Sequence, residues 1–256
     1  APRPAPDSHP VSQRDARERL RKILGPDAEI RAGQADFASV ATAAFEPRET
    51  LGAPNIVLAE AGTGTGKTLG YIAPASLWAE QNDGAVWIST YTRHLQRQIE
   101  QELTRLYPGE KELRSRVVVR KGRENYLCLL NMEDLLNTAS SRGMEGAAPL
   151  LPLALLARWA EATRDGDIMG GDLPGWFGEL FGHGTLSGVA DRRGECIHAA
   201  CPHYQSCFVE HGIRRARQAD LVIANHALAM AHASWSALAP AHPPAQDTAP
   251  TRPVFA

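Results

Sequence analysis

A chain of 256 residues is long enough for one α/β domain with an insertion, or for two small domains, and 43% hydrophobic residues can build a real core. The net charge of −2 does not advertise a nucleic-acid partner, so any such contact has to come from local basic patches. No apolar run is long enough to span a membrane, and the Pro-rich residues 1–10 lack the apolar segment of a signal peptide, which predicts a cytoplasmic protein with no membrane partner.

In chain order, residues 1–13 read as a disordered tail, and the absence of an initiator Met suggests a piece of a longer protein. Leu20, Ile23 and Leu24 sit at helical spacing, and Gly25-Pro26 stops that helix. Phe37, Val40, Ala41, Ala44 and Phe45 predict an amphipathic helix with Gln34 near its start. Residues 56–59 (IVLA) read as a buried strand. It leads into Ala61, Gly62, Thr63, Gly64, Thr65, Gly66, Lys67 and Thr68, the pattern of a phosphate-binding P-loop. The glycines let the backbone curl so that successive N–H groups point at phosphate oxygens, and a helix N-terminus adds partial positive charge. Lys67 supplies a full charge and the Thr68 hydroxyl suits Mg²⁺, which makes these two the catalytic candidates and ATP the expected ligand. The plainer alternative is a chance match in a Gly-rich loop, which the flanking strand pattern argues against.

Residues 85–90 (AVWIST) and 116–120 (RVVVR) read as further strands, with a polar-faced helix over 92–106 between them. Strands alternating with helices predict an α/β fold whose parallel sheet is covered on both faces. After Gly122 the character changes. Residues 123–213 form an expected insert that contains all four cysteines, a Leu-rich helix candidate at 150–164 and an aromatic Pro/Gly-rich loop at 171–182. Leu153, Leu156 and Trp159 are most simply that insert's own core. Sheet pattern returns at 221–224 (LVIA), followed by Asn225-His226. The expected layout is therefore a first domain part over 14–122, the insert over 123–213, a return strand and helix over 214–236, and a Pro-rich linker over 237–256.

The cysteines are Cys128, Cys196, Cys201 and Cys207, the last three spaced C-x4-C-x5-C. Without a secretory signal they favour metal or redox chemistry over disulfides. No C-x2-C knuckle of the usual structural zinc site occurs. The loose, loop-rich spacing favours a [4Fe–4S] cluster on four thiolates. Zinc, with His198 or His203 as a further ligand, and buried free thiols are the alternatives.

Arg114, Arg116, Arg120, Lys121 and Arg123 occupy five of ten positions without an acid among them. Arg192 and Arg193 precede Cys196, and Arg214, Arg215 and Arg217 follow Cys207. Each run alone could be a solvated face. Together, at both ends of one insert, they predict a track for a nucleic-acid backbone. No apolar strand is followed by Asp-Glu, so the carboxylates that would hold Mg²⁺ and activate water are expected to be missing, leaving nucleotide binding without hydrolysis.

These residues together resemble the DinG/XPD branch of superfamily 2, the iron–sulfur DNA helicases, and most of all the bacterial DinG-type proteins. Gln34 in RAGQADFA is similar to the family's Q-motif, and AEAGTGTGKT (59–68) to its motif I. STYTRHLQRQI (89–99) resembles motif Ia, KGRENYLC and CIHAACPHYQSC its cluster ligands, and ADLVIANHAL (219–228) the segment before its motif II. The resemblance implies a RecA-like P-loop NTPase domain with a mainly helical iron–sulfur insertion. It implies ATP, Mg²⁺ and a [4Fe–4S] cluster held by Cys128, Cys196, Cys201 and Cys207. It also implies ATP-driven 5′→3′ unwinding of single-stranded or fork-like DNA by the parent protein, in repair, as a monomer. Gln34 would contact adenine. Thr90, Thr92, Arg93, Arg120, Lys121 and Arg123 would contact DNA, with Gln96 and Arg97 weaker candidates. The family's DEAH box follows the ANHAL segment, and this chain is expected to lack both that box and the second RecA-like domain in cis. Two rival functions are an iron–sulfur redox or sensor module and a non-catalytic ATP-binding DNA scaffold.

Overall fold

The computed structural model describes residues 5–29, 31–48, 54–141, 147–192, 194–238 and 254–255. The chain divides into two compact units, residues 1–120 with 215–256, and residues 121–214. Among the described residues no helix is long and apolar enough to cross a membrane.

Unit 1 opens with α1 (Gln13–Leu24), capped by the Ser12 hydroxyl, which accepts from the Asp15 N–H, and ended by Gly25 at φ 87°. The segment before it is not a free tail. The Asp7 N–H donates to the Asn82 carbonyl, the buried Asn82 side chain bonds both backbone groups of His9, and Val11 is buried. An Asn with its donor and acceptor both matched fixes an otherwise featureless stretch.

α2 (Ala32–Ala41) passes into a 3₁₀ turn, Thr42–Phe45. The expected single amphipathic helix is therefore corrected. Tightening to three residues per turn rotates the face, so that Gln34, Ala38 and Ser39 are buried with Phe45 while Val40 is exposed. α3 (Lys67–Gln81) follows, then β1 (Val86–Thr90), α4 (Arg93–Leu106) capped by the Thr92 hydroxyl, α5 (Glu110–Arg116) and β2 (Val117–Arg120). After the second unit come β3 (Leu221–Asn225), α11 (His226–Leu238) and the short β4 (Val254–Phe255). The linker expected over 237–256 lies mostly outside the described residues, but Val254 and Phe255 belong to a strand.

The sheet is parallel, in the order β2-β3-β1-β4. Alternate residues face opposite layers. Val86, Ile88, Val117, Leu221 and Ile223 join the core formed with α1, α3 and α4. Trp87, Val118, Val222 and Ala224 join Ala216, Ala219 and Ala229 on the other face. Both faces are covered, which is why the strands carry near-continuous apolar runs.

One predicted strand is absent. Residues 54–60 carry no regular structure, and Ile56 and Leu58 are 75% and 94% exposed. Among the described residues no strand lies beside this stretch. A β-branched apolar run has strand propensity, but a strand is made by its ladder partner.

Among the described residues unit 2 has no strand of its own. It contains α6 (Leu129–Ser141), α7 (Ala147–Ala162), α8 (Trp176–Phe181), α9 (His183–Val189) and most of α10 (Phe208–Ala216). Its core joins Leu127, Leu153, Leu156, Ile168, Phe177, Leu186 and Val189. The predicted loop at 171–182 is corrected, since α8 lies within it and buries Phe177.

Candidate nucleotide and thiol sites

The P-loop turns where its glycines allow it. Gly64 and Gly66 take φ of 78° and 77°, and Gly66 caps α3, which starts at Lys67. Four side chains donate to the loop's carbonyls. Lys67 Nζ lies 2.8 Å from both the Ala61 and Gly62 oxygens. Gln34 Nε2 donates to the Gly66 oxygen at 2.8 Å, and Arg31 Nη1 to the Gly64 oxygen at 2.9 Å. The Thr65 hydroxyl donates to the Gly62 oxygen. Burial pushes the Tyr71 phenol up to about 12, opposed by a side-chain hydrogen bond to Thr68. Thr63 lies in the same exposed turn.

Gln34 is 4% exposed, and a Cβ on Gly66 would overlap its amide. Its amide donor is thus engaged by the loop, where the sequence suggested that adenine would take it. Arg31 was not singled out from the sequence, and only its position one turn before Gln34 on the same helix end could have flagged it.

The predicted DNA contacts separate into two groups. Thr90 and Arg120 end β1 and β2, and Thr92 caps α4. The Thr90 hydroxyl donates to the Thr92 oxygen at 3.3 Å, and the Arg93 side chain lies outside the described residues. Lys121 and Arg123 are different. Lys121 pairs with Asp167, whose side chain is 2% exposed, and Arg123 Nη1 lies 2.8 Å from Asp191 Oδ2, with Glu210 at 3.7 Å. Both cations are thus engaged in ion pairs with acids distant in sequence.

Other members of the basic runs are also engaged. Arg116 meets Asp220 at 2.8 Å and lies over the Tyr107 ring. Arg215 donates to the Arg114 and Val117 oxygens, and Arg214 stacks on Tyr204. Of the weaker candidates, Gln96 is buried with no partner for its Nε2. After β1, β2 and β3 come Tyr91, Lys121 and His226. His226 Nδ1 lies 2.6 Å from Ser89 Oγ, and Asn225 Oδ1 caps α11 through the Leu228 N–H.

All four cysteines are free, half-buried and in unit 2. Cys128 directly precedes α6 and Cys207 directly precedes α10. Burial pushes both thiols up. Backbone N–H groups at the helix starts oppose this, from Asn131 and Leu130 for Cys128, and from Glu210 and Val209 for Cys207. Asp191 acts on both thiols, Cys207 acts on Cys128, and Arg123 hydrogen-bonds Cys196. The Arg123–Asp191 pair thus acts on three of the four thiols. Cys201 follows the turn His198–Ala200. His203 pairs with Glu133. Among the described residues no three His, Cys, Asp or Glu side chains meet closely enough to hold one metal ion.

No family model matches the chain. It is 36% identical over 229 residues to the ATP-dependent helicase DinG of Mycobacterium tuberculosis, covering 83% of this chain and 32% of that protein. It is 34% identical over 211 residues to the ATP-dependent DNA helicase YoaA of Escherichia coli, covering 80% and 30%. A Bacillus subtilis relative, the 3′-5′ exonuclease DinG, is 32% identical over 214 residues, 82% of this chain and 21% of that protein. The chain belongs to the DinG family of helicases. It spans about a third of the length of the first two relatives. Within this DinG-family chain, the P-loop and the thiols fall in different units.

Proposed function

We propose that this chain is the nucleotide-binding part of an ATP-dependent DNA helicase. The observation that carries the reading is the P-loop at the start of α3, in a chain whose relatives are named ATP-dependent helicases. ATP phosphates would take the N–H groups of residues 62–67, Lys67 would exchange the Ala61 and Gly62 oxygens for phosphate, and Thr68 would meet Mg²⁺. The parallel sheet with both faces covered is consistent with a RecA-like domain. Unwinding with 5′→3′ polarity, with a second RecA-like domain in cis, is the role proposed for the parent protein. The chain itself is proposed to bind ATP without turning it over, since Tyr91, Lys121 and His226 stand after β1, β2 and β3 where a catalytic carboxylate is expected.

Thr90, Thr92, Arg93 and Arg120 are the proposed contacts to single-stranded DNA. They stand at or just after the carboxyl ends of parallel strands, where ligands of such sheets bind. The proposed cofactor of unit 2 is a [4Fe–4S] cluster on Cys128, Cys196, Cys201 and Cys207. The thiols fit it by number, by being free, and by the helix N–H groups aimed at two of them. When bound it would cross-link the segments that carry the cysteines, while Arg123 and Asp191 hold those segments in register.

The test is binding of a fluorescent ATP analogue and of a labelled single strand, measured by anisotropy across a salt series. Lys67→Ala should abolish nucleotide binding. Arg120→Ala should lower the salt slope by roughly 0.7, one phosphate contact, for all sequences alike. Retained nucleotide binding in Lys67→Ala, or a salt-independent affinity for DNA, would overturn the proposal.

A further inference from the structure

Tyr91 is 82% exposed, more than any other Phe, Tyr or Trp among the described residues. A lone exposed aromatic is ordinary on a protein surface. Tyr91 is set apart by its place. β1 and β3 pair in parallel with Thr90 opposite Asn225, so the next residues, Tyr91 and His226, emerge side by side at the carboxyl end of the sheet. Their ring centroids lie 6.2 Å apart and the rings are tilted by 44°, within the range of a favourable aromatic contact. His226 is itself fixed, because its Nδ1 meets Ser89 Oγ at 2.6 Å. The histidine thus steadies the tyrosine from one side, while most of the tyrosine ring stays open to solvent.

The surroundings select the ligand. Register places Arg120 of β2, Ala224 of β3 and Ser89 of β1 in one row across the sheet. Val118 and Trp87 point into the same layer, so Arg120 and Ser89, two residues further along their strands, face that side as well. A cation and a bare aromatic ring at one sheet edge suit a ligand with an anionic backbone and a flat apolar face, and an unpaired nucleotide has both. Phosphate contacts position a strand but do not hold its bases. A base stacks on an aromatic ring with little regard to its identity, because every base has a π-face. In a duplex those faces are covered by the neighbouring pairs, so an open ring of this kind favours a single strand.

We propose that Tyr91 is a base-stacking residue, whose ring takes an unpaired base of single-stranded DNA while His226 positions it. The inference rests on the DNA contacts proposed above and adds to them a contact that carries no charge.

The experiment measures anisotropy across a salt series with two labelled probes, oligo-dA and a tract of the same length whose sugars carry no bases. Both probes present the same phosphates. The unsubstituted chain should prefer oligo-dA. Tyr91→Ala should cut that preference on the order of tenfold, as expected of one stacked base, and leave the salt slope unchanged, because no phosphate contact is lost. Tyr91→Phe should keep the preference. His226→Ala should lower it by less, and His226→Phe, which keeps a ring at that place, should restore it. The ratio of the two probes is read within one protein, so a change in stability does not move it. An unchanged preference in Tyr91→Ala, with salt-dependent binding retained, would overturn this inference alone. An equal loss in Tyr91→Phe would do the same, by showing that the hydroxyl and not the ring makes the contact. Failure of the unsubstituted chain to bind either probe in a salt-dependent way would instead remove the DNA reading, and this inference with it.

Discussion

In unit 1, side chains of β1, β2 and β3 alternate between two apolar layers, and α1, α3, α4 and α11 close over them. In unit 2, helices surround Leu156 and Phe177, while buried or half-buried charges are matched in pairs, Lys121 with Asp167 and Arg123 with Asp191. Unit 1 is held by a hydrogen-bonded ladder and area burial, which need no cofactor. Unit 2 adds groups that are costly to bury singly, two cations, two anions and four thiols, whose stability depends on every partner being present. The lesson is that one chain can keep its nucleotide loop on a self-sufficient frame and its thiols on a frame sensitive to single substitutions.

The sharpest break of this comparison is a pair of substitutions. Cys201→Ser should remove the iron and the brown colour of anaerobically purified protein and leave nucleotide affinity unchanged. Lys67→Ala should do the reverse. Iron analysis and nucleotide titration on both variants decide it, and loss of both properties together would show that the units are not independent.

Next in size is Asp167→Asn. It leaves the Lys121 ammonium, 12% exposed, without its anion, and breaking a buried pair from one side costs about 3 kcal/mol or more. Amide hydrogen exchange should speed up in peptides from 121–214 and stay unchanged in β1 and β3. Uniform acceleration across the chain would contradict the division into two frames.

A smaller effect separates the units by pH. His232 stacks on Trp87 in unit 1, with ring centroids 4.2 Å apart. Burial and the nearby Arg120 hold the imidazole below its ordinary 6.5. The folded unit therefore favours the neutral ring. The stability it contributes is present above 6.5 and is lost as pH falls through the lowered folded value. His232→Phe keeps the ring and should remove that acid-side loss, read as the pH dependence of the unit 1 unfolding midpoint.

The smallest effect has the opposite sign. In unit 2, burial raises the Asp165 carboxyl, with Asp167 and Asp172 adding to the shift and Lys121 opposing it. A group raised in the folded state stabilises below its unfolded value and loses that contribution as pH rises through its folded one. Asp165→Asn keeps an oxygen to accept from the Asp167 N–H and should stabilise unit 2 slightly at pH 7. The gain should fade as pH is lowered towards about 4. A gain that does not change with pH would mean that charge is not its source.

Local patterns in the sequence determined much of this protein. The P-loop glycines, the helix at Lys67, the apolar runs of β1, β2 and β3, and the Gly25 stop were legible, because each depends on neighbours within a few residues. What only the tertiary structure decided were pairings. Residues 56–59 have strand propensity but no ladder partner, so they stay exposed. Nothing local to Lys121 and Arg123 announced their partners Asp167 and Asp191, 46 and 68 residues away. The partner of the Gln34 amide nitrogen, the Gly66 oxygen, lies 32 residues away. Propensity is a local free energy that a sequence carries with it. A charge, an amide or a strand edge acquires its role from the group placed opposite it, and the fold makes that placement.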